Sequence, residues 1–151
     1  MSDEHYLRLA LEQAALAEAL GEVPIGAILV ANGEIIASAH NRTVSDHDPT
    51  AHAEILALRA GGLVLGNHRM RGVSLYVTLE PCIMCTGALI QARIDRLIFG
   101  AYDNRIGACG SAFDLARHRR LNHHIREIKG GVLEDECREQ LQRFFQQKRR
   151  G

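Results

Sequence analysis

Residues 25–33 read Ile-Gly-Ala-Ile-Leu-Val-Ala-Asn-Gly, and this stretch decides how the chain begins to fold. Its first six residues form a short run, apolar apart from one glycine, that is typical of a buried strand. Ala31-Asn32-Gly33 predicts a tight turn, and residues 34–40 then return as the hairpin partner. The sheet is therefore expected to open with an antiparallel pair of strands.

The segments on either side of this hairpin have helical spacing. On the N-terminal side, Ser2 or Asp3 can cap a helix that ends at Gly21. On the C-terminal side, Asp48-Pro49 predicts the start of a helix that runs to the glycines at 61 and 62. The hairpin is thus expected to lie between two helices.

The rest of the chain predicts three more strands, at residues 74–79, 95–100 and 125–128. A helix that begins at Glu80-Pro81 separates the first two, and another helix closes the chain. Alternating strands and helices predict an α/β fold, a three-layer α/β/α sandwich with a central mixed sheet of about five strands. No linker or repeat interrupts the pattern, so residues 1–151 are expected to form one domain.

The composition limits the classes of function. With 46% hydrophobic and 24% charged residues, the chain is of the globular kind and not a disordered one. Its longest apolar runs are too short to cross a bilayer, so no membrane association is expected. The N-terminus is acidic and lacks the features of a signal peptide, which predicts a cytoplasmic protein.

The formal net charge of zero conceals an uneven distribution. Residues 1–92 contain five Lys/Arg and ten Asp/Glu, whereas residues 93–151 contain thirteen and eight. The two parts carry −5 and +5. A neutral total therefore does not exclude nucleic-acid binding.

Cys82 and Cys85 are three residues apart, so on a helix they share one face and can bind the same metal ion. In a reducing compartment, such a pair indicates metal or redox chemistry. With His52, the set offers two sulfurs and one imidazole, which leaves tetrahedral zinc one open position. Catalytic zinc sites are built in this way, and zinc lowers the pKa of a bound water to about 7. One zinc ion per chain is expected.

Glu54 is two residues from His52 and can reach the open face of the metal if the end of its helix points at the site. A carboxylate there can take the proton of the water, deliver it to a ring nitrogen and later protonate a departing amine. Two other interpretations remain open. Cys82 and Cys85 can form a redox pair, or a structural zinc site can take a fourth ligand from Glu54, Cys109 or Cys137.

The string His52-Ala53-Glu54, followed by Pro81-Cys82-Ile83-Met84-Cys85, resembles the signature of the cytidine/deoxycytidylate deaminase superfamily. Longer segments are similar to the bacterial tRNA-specific adenosine deaminases. These segments are residues 48–55, 75–82, 107–111, 121–123 and 144–145. The resemblance implies a cytidine-deaminase-like fold and hydrolytic deamination of adenosine to inosine at the first (wobble) anticodon position. It implies zinc-bound hydroxide with Glu54 as proton shuttle, a tRNA anticodon stem-loop as partner, and a homodimer whose active sites borrow surface from the partner subunit.

The resemblance also assigns roles to residues outside the metal motif. Asn41 would hydrogen-bond the flipped nucleotide, although it can also be a turn residue. Phe145, Lys148 and Arg149 would line the path of the flanking nucleotides, the alternative being a core aromatic and a dipole-matched helix end. Arg105 and Cys109 depart from the expected lysine and alanine.

Asp103 follows a predicted strand, and loops after strands lie near the site in such sandwiches. It is expected either to accept a hydrogen bond from a ribose 2′-OH or simply to cap its loop. The basic run that contains Arg117, Arg119 and Arg120 either contacts phosphate or is a solvated loop.

Two rival functions remain. A deaminase of a free base or nucleoside, of the guanine or cytosine type, would use the same zinc chemistry without RNA. The basic second part of the chain argues against it, because a free base needs a closed pocket and no phosphate contacts. An RNA-binding protein with structural zinc would have no use for Glu54 as an acid or base.

Overall fold

The computed structural model describes residues 1–150. Along the chain it contains α1 (Asp3–Ala19), β1 (Gly26–Ala31), β2 (Glu34–His40), α2 (Ala53–Leu65), β3 (Val73–Leu79), α3 (Ile83–Ala92), β4 (Arg96–Ala101), a 3₁₀ turn (Leu115–Arg117), β5 (Glu127–Lys129) and α4 (Glu134–Arg150). Within this range, no helix combines the length and the apolar character needed to cross a membrane.

The five strands form one mixed sheet in the order β2-β1-β3-β4-β5. β1 lies between β2 and β3 and is antiparallel to both, so that Ala27 faces Ala39 on one side and Val77 on the other. β3, β4 and β5 are parallel. The carboxyl ends of β3 and β4 therefore meet at one edge, where α3 begins and the long loop after Ala101 leaves the sheet.

Helices cover both faces of the sheet, which confirms the predicted α/β/α sandwich. α1 and α4 pack on one face and α2 and α3 on the other. Each face has its own apolar core, because successive strand residues point to opposite sides. Ile28, Tyr76 and Ile98 pack towards α1 and α4, whereas Leu29, Leu75 and Leu97 belong to the core beneath α2 and α3.

The prediction for the helix after the hairpin was wrong at both ends. Asp48-Pro49 does not begin it: the Asp48 carboxylate accepts hydrogen bonds from Thr50 N–H and Oγ1 at 2.9 and 2.7 Å, which fixes a turn instead. The helix starts at Ala53, and it continues past the glycines at 61 and 62. A Cβ at Gly61 would lie 2.7 Å from Leu29, so glycine here lets the helix pack closely on the sheet.

The next helix also begins later than predicted. Pro81 precedes it, and Cys82 is its N-cap with extended backbone angles. The strands match their predicted positions to within one or two residues. The shift matters, because it places a cysteine at the helix cap and not inside the helix.

Candidate active site

The structure brings His52, Cys82 and Cys85 together. Nδ1 of His52 lies 3.8 Å from Sγ of Cys82 and 3.4 Å from Sγ of Cys85. All three ligand atoms lie within 4.8 Å of one another. In a tetrahedral zinc site, Zn–S and Zn–N bonds of about 2.3 and 2.0–2.1 Å place nitrogen and sulfur about 3.6 Å apart. The observed spacing therefore fits one zinc ion.

Two helix N-termini converge on this set. His52 is the N-cap of α2 and Cys82 is the N-cap of α3. Their carbonyls accept the first helical hydrogen bonds, from Leu56 and Thr86 at 3.0 and 2.9 Å. Neither side chain makes a capping hydrogen bond, so both are free to bind a metal. The positive ends of the two helix dipoles also favour the thiolates that a metal requires.

The thiols of Cys82 and Cys85 shift each other's pKa in opposite directions. A hydrogen bond from Cys85 lowers the pKa of Cys82 to about 4, and the same bond, together with burial, raises the pKa of Cys85. The hydrogen bond with Cys82 raises the pKa of His52. Cys82, Cys85 and His52 therefore compete for protons. A divalent cation that prefers sulfur and nitrogen ligands can replace these protons and bind all three side chains.

Glu54 lies in the first turn of α2 and is only 4% exposed. Burial raises the pKa of its carboxyl to about 7. The charge of Cys82 also raises this pKa, whereas the charge of His52 and a hydrogen bond with Cys85 lower it. The later start of α2 explains how the residue reaches the site: with His52 as the N-cap, Glu54 lies in the first turn, at the end of the helix and not along its side.

Asn41 is buried, and one polar atom of its side chain makes a structural hydrogen bond. Its side-chain oxygen accepts a hydrogen bond from the backbone N–H of Ala53 at 2.8 Å. It therefore supplies the capping contact that the His52 side chain does not make. The amide NH₂ group is left for another partner.

A cleft of about 610 Å³ opens beside the metal ligands. Four of the residues singled out in the sequence line it, namely Asn41, His52, Asp103 and Phe145. Lys148 and Arg149 do not reach this cleft. They line an adjacent one of about 620 Å³, which shares Arg105 and Phe145 with the first.

The end of α4 has two different aromatic residues. Phe144 is buried, and the ammonium of Lys148 lies 5.6 Å from the centre of its ring. Phe145 is 44% exposed and faces both clefts. Phe144 is therefore a core residue, whereas Phe145 is accessible to a ligand.

Asp103 caps its loop through one oxygen. Its Oδ1 accepts hydrogen bonds from the N–H groups of Arg105 and Ile106 at 3.0 and 3.2 Å. This is the capping role considered from the sequence. Capping uses Oδ1, and the residue still lines the cleft.

The remaining basic and cysteine residues lie apart from the cleft lining. Arg117 donates to the carbonyl of Cys109 at 3.1 Å, and Arg119 and Arg120 are exposed. Cys109 is buried, with its sulfur 3.4 Å from the Thr86 hydroxyl. Burial raises the pKa of Cys109 to about 12, and its sulfur lies outside the group formed by His52, Cys82 and Cys85.

Several residues of the cleft were not predicted from the sequence. Thr43 and Tyr102 line it, and Glu80 holds the loop that forms one wall. The signal for Glu80 was an acid at the end of a buried strand, where an unpaired charge would be costly. Nothing in the periodicity indicated which side of its loop Tyr102 occupies.

The comparisons with known proteins place this geometry in a class. Residues 1–101 match the family described as cytidine and deoxycytidylate deaminase zinc-binding region. The chain therefore belongs to this family of zinc-dependent deaminases. The match contains His52, Cys82 and Cys85.

Within the family, the chain is similar to tRNA-specific adenosine deaminases. The protein of that name from Haemophilus influenzae is 49% identical over 148 residues, which span 97% of this chain and 85% of the relative. A solved structure from studies of A-to-I editing by tRNA:A34 deaminases at the wobble position superposes with a TM-score of 0.86 at 44% identity, covering 90% of this chain and 98% of that one. A guanine deaminase from Nitrosomonas europaea has a TM-score of 0.80 at 26% identity, over 95% of this chain and 84% of that one.

Proposed function

We propose that this chain hydrolytically deaminates adenosine to inosine at the first, wobble position of a tRNA anticodon. The observation that carries the proposal is the pair of adjoining clefts. One cleft holds His52 and the other is lined by the cations of Arg105, Lys148 and Arg149. Cationic side chains beside a nucleobase site suit a substrate with phosphates on either side of the reacting base. Relatives named as tRNA-specific adenosine deaminases support the same substrate.

His52, Cys82 and Cys85 hold one zinc ion in this proposal. Zinc bound there supplies a Lewis acid that makes hydroxide available at neutral pH. Glu54 takes a proton from the attacking water and passes it to a nitrogen of the adenine ring. It then takes the second proton of that water and gives it to the amino group, so that the C–N bond breaks and ammonia and inosine are released.

Asn41 orients the base. Its side-chain oxygen already accepts a hydrogen bond from Ala53, so the group left for the substrate is the NH₂, which is a donor. The ring nitrogens of a purine are acceptors for it. A donor fixed by a helix cap holds a base in place with little loss of side-chain entropy.

An anticodon loop is the RNA partner that suits this cleft. The target base has to leave its stack to reach the zinc ligands, and unstacking costs less in a loop than in a duplex. Phe145 is exposed at the boundary of the two clefts and can stack on a neighbouring base. Lys148 and Arg149 then face the backbone of the flanking nucleotides.

The proposal includes a homodimer in the cytoplasm, where a bacterial tRNA substrate is found. Leu63 of α2 is 86% exposed, and together with Ala88 of α3 it lines an apolar groove of about 970 Å³ between the two helices. Met84 precedes Ala88 by one helical turn and is also exposed, which extends the same face to the metal-binding end of α3. Covering this face with a second copy would bring the partner close to the site.

The dimer is tested by sedimentation velocity. Leu63→Glu is expected to give a monomer, because a charge cannot be buried in an apolar interface without a partner. Leu16→Glu is the control, since Leu16 is also exposed but lies on α1, across the sheet. A Leu63→Glu dimer as tight as the wild type would rule out this face.

The reaction is tested with purified protein and an anticodon stem-loop that contains a wobble adenosine. Inosine is measured by mass spectrometry of the digested RNA, and Glu54→Gln is the inactive control. Ammonia release from guanine, cytosine, adenine and their nucleosides is measured in parallel. Turnover of a free base without inosine in the RNA would establish the rival deaminase instead.

A further inference from the structure

Glu80 is a buried carboxylate at the junction between β3 and the helix that carries Cys82 and Cys85. It is 2% exposed. Its Oε1 accepts hydrogen bonds from Asp103 N–H at 3.0 Å and from the Ser111 hydroxyl at 2.5 Å. Its Oε2 accepts from the N–H groups of Cys109 and Ser111 at 3.0 and 3.2 Å. All four donors belong to one segment, residues 102–111, which we call the cleft loop.

The cleft loop forms a wall of the cleft beside the metal ligands. Its members in the lining are Tyr102, Asp103, Asn104, Arg105 and Ile106. Glu80 itself does not line the cleft. It therefore acts on a ligand in the cleft only through the loop.

The backbone of Glu80 and Pro81, just before α3, also bonds to the end of β4 and to the cleft loop. The Glu80 N–H donates to Ala101 at 2.9 Å, and the Pro81 carbonyl accepts from Ala108 at 2.8 Å. Cys82 follows Pro81 directly. A shift of the Glu80 carboxylate is thus a shift of the cleft wall relative to the metal ligands.

Gly107 makes room for this carboxylate. A Cβ at Gly107 would lie 2.5 Å from the carboxyl carbon of Glu80 and 2.5 Å from the carbonyl oxygen of Asp103. The backbone at Gly107 does not have a positive φ, so glycine is needed for space and not for conformation. The cleft loop therefore packs directly against the Glu80 carboxylate.

We propose that Glu80 is a positioning residue that sets RNA affinity by fixing the cleft loop relative to the metal ligands. The proposal rests on the proposed function for the identity of the ligand, an RNA stem-loop. It predicts that disturbing Glu80 weakens binding of the stem-loop and leaves the chemical step nearly intact, because Glu80 lies outside the cleft lining and outside the group of zinc ligands.

Glu80→Gln is the first variant. Its amide has one oxygen acceptor in place of two, so the four donors cannot all be satisfied. The expected result is a rise in KM and in Kd for the stem-loop of about tenfold, with kcat per bound zinc within about threefold of the wild type. Zinc content is measured by mass spectrometry and melting temperature by circular dichroism on the same samples.

Gly107→Ala is the second variant, and it keeps the carboxylate but displaces it. It is expected to raise KM in the same way, and Ser111→Ala, which removes only the hydroxyl donor, to a smaller extent. If Glu80→Gln fails to fold, these two variants carry the test.

Asp3→Asn is the control for a loss of stability alone. Asp3 accepts hydrogen bonds from Arg96, Tyr76 and Lys129 at the opposite end of the sheet. It is expected to lower the melting temperature and to leave KM unchanged. Glu80→Gln with normal KM overturns the proposal, and so does a fall in zinc content or in kcat per bound zinc that is larger than the rise in KM. Failure of the wild type to form inosine would overturn the proposed function, whereas the Kd comparison would still test Glu80.

Discussion

The side-chain oxygen of Asn41 accepts a hydrogen bond from the N–H of Ala53 at 2.8 Å, at the first residue of the helix that carries Glu54. One side chain therefore caps α2 and lines the cleft. The cap uses only the oxygen, and substrate binding would use only the NH₂ group. The two roles can be separated by substitution.

Asn41→Asp is expected to keep the cap and lose the donor. Because an aspartate oxygen also caps helices well, the melting temperature should stay close to that of the wild type. kcat/KM for the stem-loop should fall by at least about tenfold, since a ring nitrogen then faces a carboxylate. Asn41→Ala, by contrast, should cost about 1 kcal/mol of stability as well. If Asn41→Asp keeps the kcat/KM of the wild type, Asn41 only caps α2 and does not bind the substrate.

Zinc binding is expected to depend on Cys82 and not on Cys109. Purified Cys82→Ala should lose most of its zinc, because two ligands do not hold the ion tightly. Cys109→Ala is the matched control, since Cys109 is also buried and free but lies outside the ligand set. The zinc content of both variants is measured by mass spectrometry. Loss of zinc in Cys109→Ala would instead support a structural zinc site with four protein ligands, one of them Cys109.

Lys148 and Arg149 are expected to contribute to RNA binding through phosphate. Each substitution to alanine should reduce the slope of log Kd against log salt concentration by about one, because one counterion fewer is released. Arg71→Ala is the control, as Arg71 is exposed just before β3, at the end of the sheet away from the cleft. Fluorescence anisotropy with a labelled stem-loop gives the slopes. Equal slopes for all variants would place the RNA elsewhere.

Glu22 is expected to make stability depend on pH. It is 1% exposed, and Ser45 donates both its N–H and its hydroxyl to it at 2.6 Å. Burial raises the pKa of Glu22, but the hydrogen bonds from Ser45, Val44 and Thr43 outweigh burial, so the pKa is lowered from 4.5. A lowered pKa in the folded state adds stability that is fully present above pH 4.5 and is lost as the pH falls through the folded-state value.

Glu22→Gln should therefore lower the free energy of unfolding by about 1–3 kcal/mol at pH 7, because an amide satisfies fewer of these donors. The difference from the wild type should shrink below pH 4.5. Urea unfolding at pH 7 and at lower pH measures both. A difference that stays constant with pH would show that packing, and not the charge, is what the substitution removes.

The fold and the metal ligands could be predicted from local patterns. The apolar run at 25–30 and the turn at Asn32-Gly33 identify the hairpin, and alternation of strands and helices identifies the sandwich. His52, Cys82 and Cys85 have a chemistry that few other patterns share. The hairpin and the cysteine pair lie within short stretches, whereas His52, 30 residues before Cys82, is assigned from the ligand chemistry of the set.

The helix starts and the anchors of the loops could not be predicted in the same way. Asp48-Pro49 looks like a helix start, but Thr50 donates to the Asp48 carboxylate and fixes a turn. Glu80 meets its partners 23 to 31 residues further along the chain. Contacts at that separation depend on how the elements pack, and no local pattern encodes them.

Asp103 offers a test of how the cleft distinguishes RNA from DNA. Its Oδ1 caps the loop through Arg105 and Ile106. In the cleft, the carboxylate repels phosphate, and a ribose 2′-OH is a donor that can compensate by hydrogen bonding to it. DNA lacks this donor, so with DNA the repulsion remains without compensation.

Asp103→Asn is expected to lower the preference for RNA over single-stranded DNA. The amide keeps one oxygen for the cap, so the loop should hold its shape, while the NH₂ group is neutral and can donate to nearby oxygens. kcat/KM is measured on matched RNA and DNA stem-loops. Asp135→Asn removes the same charge from an exposed site at the start of α4 and controls for net charge. The ratio should fall only in Asp103→Asn, because loss of charge alone strengthens binding of both nucleic acids alike; an unchanged ratio would leave Asp103 as a loop cap.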